Sequence, residues 1–112
     1  MRFGIVGCGL IGGKRLDALS SHRVVAVADT EPARANALAE RAGARVSASW
    51  EDVVHDPEID AVVVATTNDW LAPVALAAIE AGKHVLVEKP AARSSEELEP
   101  LIAARERHGV SV

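Results

Sequence analysis

The chain has 112 residues, of which 49% are hydrophobic, 25% charged and 3% aromatic. This composition is typical of a single globular domain with enough apolar residues for a core, so we treat residues 1–112 as one domain. The formal net charge is -4 and the basic residues are scattered along the chain. Nucleic acid and anionic membrane surfaces are therefore excluded as expected partners.

The chain contains one cysteine, Cys8. A lone cysteine excludes an intramolecular disulfide and a multi-thiolate metal site, so we predict no metal centre, and it fits a reducing compartment. The N-terminus lacks the long apolar stretch and cleavage site of a signal peptide. The longest apolar runs, such as residues 61–65, are too short to span a bilayer. We therefore expect a cytoplasmic protein.

Short runs rich in Val and Ile alternate with helical patterns along the chain. Their apolarity is continuous, which is typical of strands that are covered on both faces of a parallel sheet. The four clearest predicted strands cover residues 2–6, 24–28, 61–65 and 84–87, and two weaker candidates cover residues 45–47 and 110–112.

The helices between these strands have recognisable boundaries. Pro32 suits a first helical turn and Gly43 a helix end, with apolar residues at helical spacing between them. A second apolar stripe begins at Leu71, and Gly82 is placed to end it. A capping box at Ser94 predicts a further helix. Strict alternation of strand and helix predicts an α/β protein with a three-layer, doubly wound parallel sheet (Rossmann fold) of about six strands.

A glycine-rich segment, GCGLIG at residues 7–12, follows the first predicted strand and opens a helix. It has the G-x-G-x-x-G pattern of dinucleotide sites, in which Gly7 permits a tight turn and Gly9 leaves room for the pyrophosphate, while Gly12 lets the helix pack on the strand. The alternative is that these glycines only form a turn. We interpret Cys8 as a small buried residue rather than a nucleophile.

The start of this helix and the end of the second strand complete the expected cofactor site. Main-chain N–H groups at the helix start, including those of Leu10 and Ile11, face the phosphate oxygens. Asp29 lies about 20 residues after the first glycine, where an acid accepts hydrogen bonds from the adenosine ribose. A carboxylate there repels a 2′-phosphate, so NAD is preferred over NADP unless Arg34 folds back to such a phosphate. Alternatively, Asp29 is a solvated strand-end residue or a helix N-cap.

Polar residues also follow the fourth and fifth strands. The ligand of a doubly wound sheet lies outside the carboxyl ends of the strands, where the chain order reverses between the first and fourth strands. Thr66 and Asn68 follow the fourth strand, and Glu88, Lys89 and Pro90 follow the fifth. An acid and a base therefore reach the mouth of the crevice, and the proline fixes the turn that aims them.

Four segments, GCGLIG, VADT, ATTND and AGKHVLVEKPAARSSEEL, together resemble the nucleotide-binding half of the Gfo/Idh/MocA oxidoreductases, the family of glucose-fructose oxidoreductase and inositol dehydrogenase. The resemblance spans nearly the whole chain. It implies a nicotinamide-dependent dehydrogenase or reductase that acts on a sugar, a nucleotide-linked sugar, an inositol or a similar polyol.

The resemblance also implies roles for individual residues. Lys89 is implied to bind the substrate hydroxyl or relay its proton, Glu88 to contact the nicotinamide side, and Thr66 and Asn68 to contact the cofactor. Chemically, a desolvated lysine can take the hydroxyl proton as hydride leaves the carbinol carbon. The alternative is that Lys89 is a solvent-facing residue at a strand end.

The chain departs from the family pattern in two ways. Leu71 stands where many members have a histidine, and Trp70 either fills that space or packs at the helix start. Members also continue into a substrate domain that supplies the dimer interface. That domain is absent from this chain, so we expect homo-oligomer formation only together with it.

Three hypotheses follow from the sequence. The chain is the nucleotide-binding domain of a longer oxidoreductase, a stand-alone NAD-binding module with a regulatory or accessory role, or a Rossmann domain with other chemistry such as methyl transfer. The Glu88-Lys89-Pro90 motif argues against the third.

Overall fold

The computed structural model describes residues 1–19, 22–66 and 68–87 of the protein. Within these ranges one parallel sheet is covered by helices on both faces. Its strands are β1 (Arg2–Val6), β2 (Arg23–Ala28), β3 (Arg45–Val46), β4 (Ala61–Val64) and β5 (His84–Val87). The helices are α1 (Leu10–Ala18), α2 (Pro32–Ala42), α3 (Trp50–Val54) and α4 (Asn68–Glu80).

The strand order is β3-β2-β1-β4-β5, and every neighbouring pair is parallel. The chain therefore builds outward from β1 to β3, returns to the centre at β4 and continues to β5 on the other side. This arrangement confirms the predicted doubly wound sheet. The five strands agree with the predicted ranges to within one residue at each end, whereas the predicted strand at 110–112 and the helix from Ser94 lie outside the described residues.

The apolar core forms two layers, one on each face of the sheet. All four residues of β4 are buried, and their side chains alternate, because Val62 and Val64 pack with α3 and α4 while Val63 packs with α2. On that second face, Leu38 of α2 is also fully packed. Each such buried Val or Leu stabilises the fold by about 1.5–3 kcal/mol relative to an exposed one.

Local signals set the boundaries of α2 and α4. Pro32 is the first residue of α2, and Gly43 ends it in the left-handed conformation with φ of 67°. Gly82 ends α4 in the same way with φ of 80°, and the N–H of Lys83 donates to the carbonyl oxygen of Ala78 at 3.0 Å. No helix within the described segments is long and apolar enough to cross a membrane.

The short helix α3 was missing from the sequence prediction. Its N-cap is Ser49, whose side-chain oxygen accepts a hydrogen bond from the N–H of Asp52 at 3.4 Å. Val53 and Val54 are fully buried and fix the helix against β1 and β2. Five residues are too few for helical periodicity to be visible in the sequence. The one local pattern that indicates this helix is the N-cap sequence Ser-x-x-Asp at its start.

Candidate functional site

A crevice opens where the loops after β1 and β4 diverge to opposite faces of the sheet. The first loop leads to α1, which lies with α2 on one face, and the second leads to α4, which lies beside α3 on the other. The cavity has a volume of about 610 Å³, within the roughly 300–1,000 Å³ typical of ligand sites. Its walls include Gly7, Gly9, Asp29 and Thr66, which lie at the carboxyl ends of the strands.

Gly7 and Gly12 allow close main-chain packing at the base of the crevice. Gly7 has φ of 97°, and a Cβ atom on it would lie 2.5 Å from the carbonyl carbon of Ala65 and 2.8 Å from the nitrogen of Thr66. A Cβ atom on Gly12 would overlap the carbonyl group of Gly7. These two glycines are therefore required by the fold itself, whether or not a ligand is present.

Gly9 has a different environment. It is the N-cap of α1, no described side chain caps this helix, and a Cβ atom on it would have no described neighbour within 4 Å. The first hydrogen bond of α1 joins the N–H of Gly13 to the carbonyl oxygen of Gly9 at 3.0 Å. The preceding N–H groups of the first turn have no acceptor within the helix, so they can hold an anion.

Asp29 connects the end of β2 to the glycine-rich loop. Its Oδ2 accepts a hydrogen bond from the N–H of Cys8 at 2.7 Å, and its Oδ1 accepts one from the N–H of Glu31 at 2.8 Å. The Nη2 of Arg34 lies 3.4 Å from Oδ1. The Asp29 side chain is only 8% exposed, and Glu31 is the N-cap of α2. Asp29 is therefore neither a solvated residue nor a helix N-cap.

The thiol of Cys8 is buried beside this carboxylate. Its Sγ donates to the carbonyl oxygen of Ala28 at 3.4 Å. Burial, and next the negative charge of Asp29, raise the pKa of Cys8 to about 12. The thiol is therefore protonated at neutral pH, which supports its interpretation as a packing residue and argues against a nucleophile.

The opposite wall of the crevice carries two tryptophans. Trp50 begins α3, and Trp70 lies in the first turn of α4. Half of the Trp70 surface is exposed (50%), whereas its neighbour Leu71 is 1% exposed within the core. Leu71 is therefore the residue that packs into the core at the start of α4, whereas the Trp70 side chain lines the cavity.

A family model described as "Oxidoreductase family, NAD-binding Rossmann fold" and named Gfo/Idh/MocA matches residues 1–112. The chain belongs to this family. The resemblance noted in the sequence is thus confirmed, and with it the assignment of an NAD-binding domain. Among curated Gfo/Idh/MocA relatives, inositol 2-dehydrogenase 2 of Saccharopolyspora erythraea is 42% identical over 114 residues, which cover 97% of this chain and 34% of that protein.

Solved structures of similar proteins have the same fold. A putative myo-inositol dehydrogenase from Sinorhizobium meliloti 1021 matches with a TM-score of 0.93 and 32% identity, over 99% of this chain and 34% of that chain. Biliverdin reductase from Synechocystis sp. PCC 6803, solved with biliverdin and NADP+, matches with a TM-score of 0.92 and 32% identity, over 98% and 36%. This Gfo/Idh/MocA domain spans about a third of the length of the relatives it matches.

The structure brings most of the predicted cofactor residues of this Gfo/Idh/MocA domain to one end of the sheet. Those lining the crevice are Gly7, Gly9, Asp29 and Thr66. Those at the starts of helices α1 and α4 are Leu10, Ile11, Gly12 and Asn68. The remaining two predicted site residues, Glu88 and Lys89, lie outside the described residues.

Sequence reasoning missed the contribution of the segment between β3 and α3. Ala48, Ser49 and Trp50 line the crevice next to Asp29. The N-cap pattern at Ser49 was the sequence signal for a helix that starts at Trp50. A helix start after β3 lies at the same end of the sheet as the other strand-to-helix loops.

Proposed function

We propose that this chain is the cofactor-binding half of a longer nicotinamide-dependent dehydrogenase or reductase that acts on a sugar, a nucleotide-linked sugar, an inositol or a similar polyol. The observation that carries the proposal is the presence, in one crevice, of the helix start at Gly9 and the carboxylate of Asp29. The substrate class is supported by the names of two similar proteins, inositol 2-dehydrogenase 2 and a putative myo-inositol dehydrogenase.

The proposed binding mode follows from the hydrogen-bonding groups around the crevice. The pyrophosphate lies on the start of α1, against Gly9 and the N–H groups of Leu10 and Ile11. Each carboxylate oxygen of Asp29 already accepts one main-chain N–H, from Cys8 or Glu31. A carboxylate offers about four lone-pair positions, so the adenosine ribose hydroxyls can donate to the remaining ones.

Asp29 also supports the preference for NAD over NADP. Its carboxylate is held in place by two main-chain N–H groups, so it cannot turn away from a 2′-phosphate without losing them. Arg34 is the group that opposes this preference, because its side chain is 56% exposed and its guanidinium lies 3.4 Å from Asp29. Similar proteins include one solved with NADP+, so the fold itself accepts either cofactor.

The catalytic roles concern the other end of the cofactor. The nicotinamide ring would supply the acceptor or donor of hydride. We assign Glu88 to a contact on the nicotinamide side, Thr66 and Asn68 to contacts around the cofactor, and Lys89 to binding the substrate hydroxyl and taking its proton. These assignments rest on the family resemblance of the motifs after β4 and β5, and a positioned base of this kind contributes about 10²- to 10⁴-fold to the rate.

Calorimetric titration with NAD and NADP tests the cofactor assignment. We expect saturable binding, tighter for NAD, and at least about tenfold weaker NAD binding in Asp29→Ala because ribose hydrogen bonds to a charged acceptor are lost. A folded chain that binds neither dinucleotide would contradict the proposal.

Lys89→Ala in the complete enzyme tests the catalytic assignment. The turnover number should fall about 100-fold or more, as expected for loss of a general base, while the Kd for NAD changes less than about twofold. Lys14→Ala, at an exposed position on α1, is the matched control. An unchanged turnover number in Lys89→Ala would contradict the catalytic assignment and favour the alternative that Lys89 is a solvent-facing residue at a strand end.

We further propose a cytoplasmic location and a homo-oligomer formed through the substrate domain. The buried, unpaired thiol of Cys8 supports a reducing compartment.

A further inference from the structure

The two faces of β5 differ in how they are covered. Val85 is 5% exposed and belongs to the apolar layer that packs with α4. Successive side chains of a strand point to opposite faces of the sheet, so Leu86 lies on the other face. Leu86 is 45% exposed. One face of β5 is therefore packed, while the other leaves a large apolar side chain in contact with solvent.

The strand register shows what covers this second face on the neighbouring strands. Leu86 pairs with Val63 of β4, and Val63 pairs with Ile5 of β1. Ile5 and Val63 are fully buried in the layer that contains Leu38 of α2 and packs against Leu16 of α1. The cover by these helices therefore ends between β4 and β5. Strands of a parallel sheet are normally covered on both faces, so the exposure of Leu86 indicates a layer that the described residues do not supply.

The chain topology indicates which segment cannot supply this layer. Crossovers between parallel strands are right-handed. Helix α4 connects β4 to β5 and lies on the Val85 face. A further strand on the free edge of β5 would continue in the same direction as the step from β4 to β5, so its crossover helix would lie on the same face as α4. The helix predicted from Ser94 is therefore expected beside α4 and not over Leu86.

The length of similar proteins provides a source for the missing layer. This chain spans about a third of the length of the relatives it matches, so most of each relative lies outside the matched part. The open face is apolar and one strand wide. The apolar stripe of one amphipathic helix has this width, whereas a second packed sheet would need several strands.

We propose that the face of β5 that carries Leu86 is a docking surface for the substrate domain, which covers it with the apolar stripe of one helix. The proposal rests on the proposed function, in which this chain is one half of a longer protein. It adds a contact between the two halves that lies outside the cofactor crevice.

Thiol labelling at position 86 tests the docking surface. Cys8 gives little background, because it is 7% exposed and its pKa of about 12 keeps it protonated. Iodoacetamide should label Leu86→Cys at least about tenfold more slowly in the complete protein than in the folded 112-residue chain, because burial excludes the reagent and raises the pKa of a thiol. Peptide mass spectrometry assigns the label to position 86. Val46→Cys is the matched control, since Val46 is 44% exposed on the same face, beside Val27 at the opposite edge of the sheet, and should react equally in both proteins.

Three results of this labelling would overturn the proposal. Equal rates at position 86 in the two proteins would mean that the substrate domain does not cover Leu86. Slow labelling in the 112-residue chain would mean that the chain covers this face itself, or, where the rate falls as the chain is concentrated, that a second copy does. NAD titration of the same two proteins is independent of the labelling. Equal labelling with NAD bound contradicts only the docking surface, and protection at position 86 without NAD binding contradicts only the cofactor function.

The stability of the complete protein provides a second measurement, which does not require the 112-residue chain to fold alone. Leu86→Arg places a charge in the proposed contact, so the urea midpoint should fall by about 1 M. Val46→Arg should lower the midpoint by less than about 0.3 M, because that side chain remains in solvent. A midpoint in Leu86→Arg equal to that of Val46→Arg would contradict the docking surface.

Discussion

The amino and carboxyl ends of the parallel strands differ in what their polar groups contact. At the amino end, charged groups contact protein: Arg2 pairs with Asp60, and the Nζ of Lys83 donates to the carbonyl oxygens of Asp56 and Ile59 at 2.7 Å each. At the carboxyl end, the polar groups instead surround a cavity of about 610 Å³. One end of the same sheet is therefore closed by its own side chains, and the other is left able to bind.

The carboxyl end itself combines fixed and open elements. The N–H of Gly7 donates to the carbonyl oxygen of Ala28 at 2.8 Å, and the N–H of Cys8 to Asp29 at 2.7 Å, so the loop is already anchored to β2. Gly9 and the start of α1 have no such described contact. Stability and binding should therefore be separable, residue by residue, in variants of this loop.

The largest effect is expected from Gly7→Ala. A positive φ costs an L-residue about 1–2 kcal/mol, and overlap of the new Cβ with the Ala65 carbonyl group adds about 1–3 kcal/mol, because main chain cannot move aside. The free energy of unfolding, measured in urea, should fall by about 2–5 kcal/mol. Gly43→Ala is the control: φ is 67° but no described atom lies within 4 Å of its Cβ, so only the backbone cost is expected. Equal losses in both variants would show that the close packing of β1 on β4 is unimportant.

The amino end is tested by Lys83→Met, which keeps the side-chain length and removes the charge. Two carbonyl oxygens, those of Asp56 and Ile59, would lose a charged donor in a partly buried position. The free energy of unfolding should fall by about 2–3 kcal/mol, while NAD affinity of the folded protein remains unchanged. Lys14→Met, at an exposed position on α1, should change stability by less than about 0.5 kcal/mol. A loss of NAD affinity in Lys83→Met would mean that the two ends of the sheet are coupled.

Gly9→Ser should separate binding from stability with opposite signs. Serine is a preferred N-cap, and its hydroxyl oxygen can accept a hydrogen bond from an N–H group of the first turn of α1. The free energy of unfolding should therefore stay unchanged or rise by roughly a few tenths of a kcal/mol. The same hydroxyl occupies the position proposed for the pyrophosphate. NAD affinity should therefore fall about tenfold or more in calorimetric titration. Retained affinity would be incompatible with a phosphate site at the start of α1.

Much of the fold could be predicted because its signals are local. Pro32 and Gly43 mark the ends of α2, and the Val-rich runs of β4 and β5 mark buried parallel strands. Helix α3 could not be found by periodicity, because its five residues make little more than one turn. Its position depends on Val53 and Val54 packing against β1 and β2, which lie far from α3 in the sequence, so no short window of sequence contains this signal.

The candidate site could be predicted in part for the same reason. The spacing of Gly7, Gly9 and Asp29 reflects one βαβ unit, so sequence distance indicates spatial distance. The hydrogen bond from the N–H of Cys8 to Asp29 lies within this unit. The presence of both Trp50 and Trp70 in the lining of one cavity depends instead on how separate units pack, and no spacing rule in the sequence predicts it.

The smallest effect is expected at Asp60, on the exposed rim of the amino end. The N–H of Arg2 donates to its Oδ2 at 2.8 Å and, together with the nearby guanidinium, lowers the pKa of Asp60 from its ordinary value of 3.8. A carboxyl whose pKa is lower in the folded chain than in the unfolded chain contributes stability above the unfolded pKa, and this contribution is lost as the pH falls through the folded pKa. Asp60→Asn keeps a neutral acceptor for Arg2, so its urea midpoint should decline less than that of wild type between about pH 4 and pH 2. Parallel declines in the two proteins would mean that the carboxyl keeps its ordinary pKa, and that the amino end of the sheet is closed by its hydrogen bonds alone.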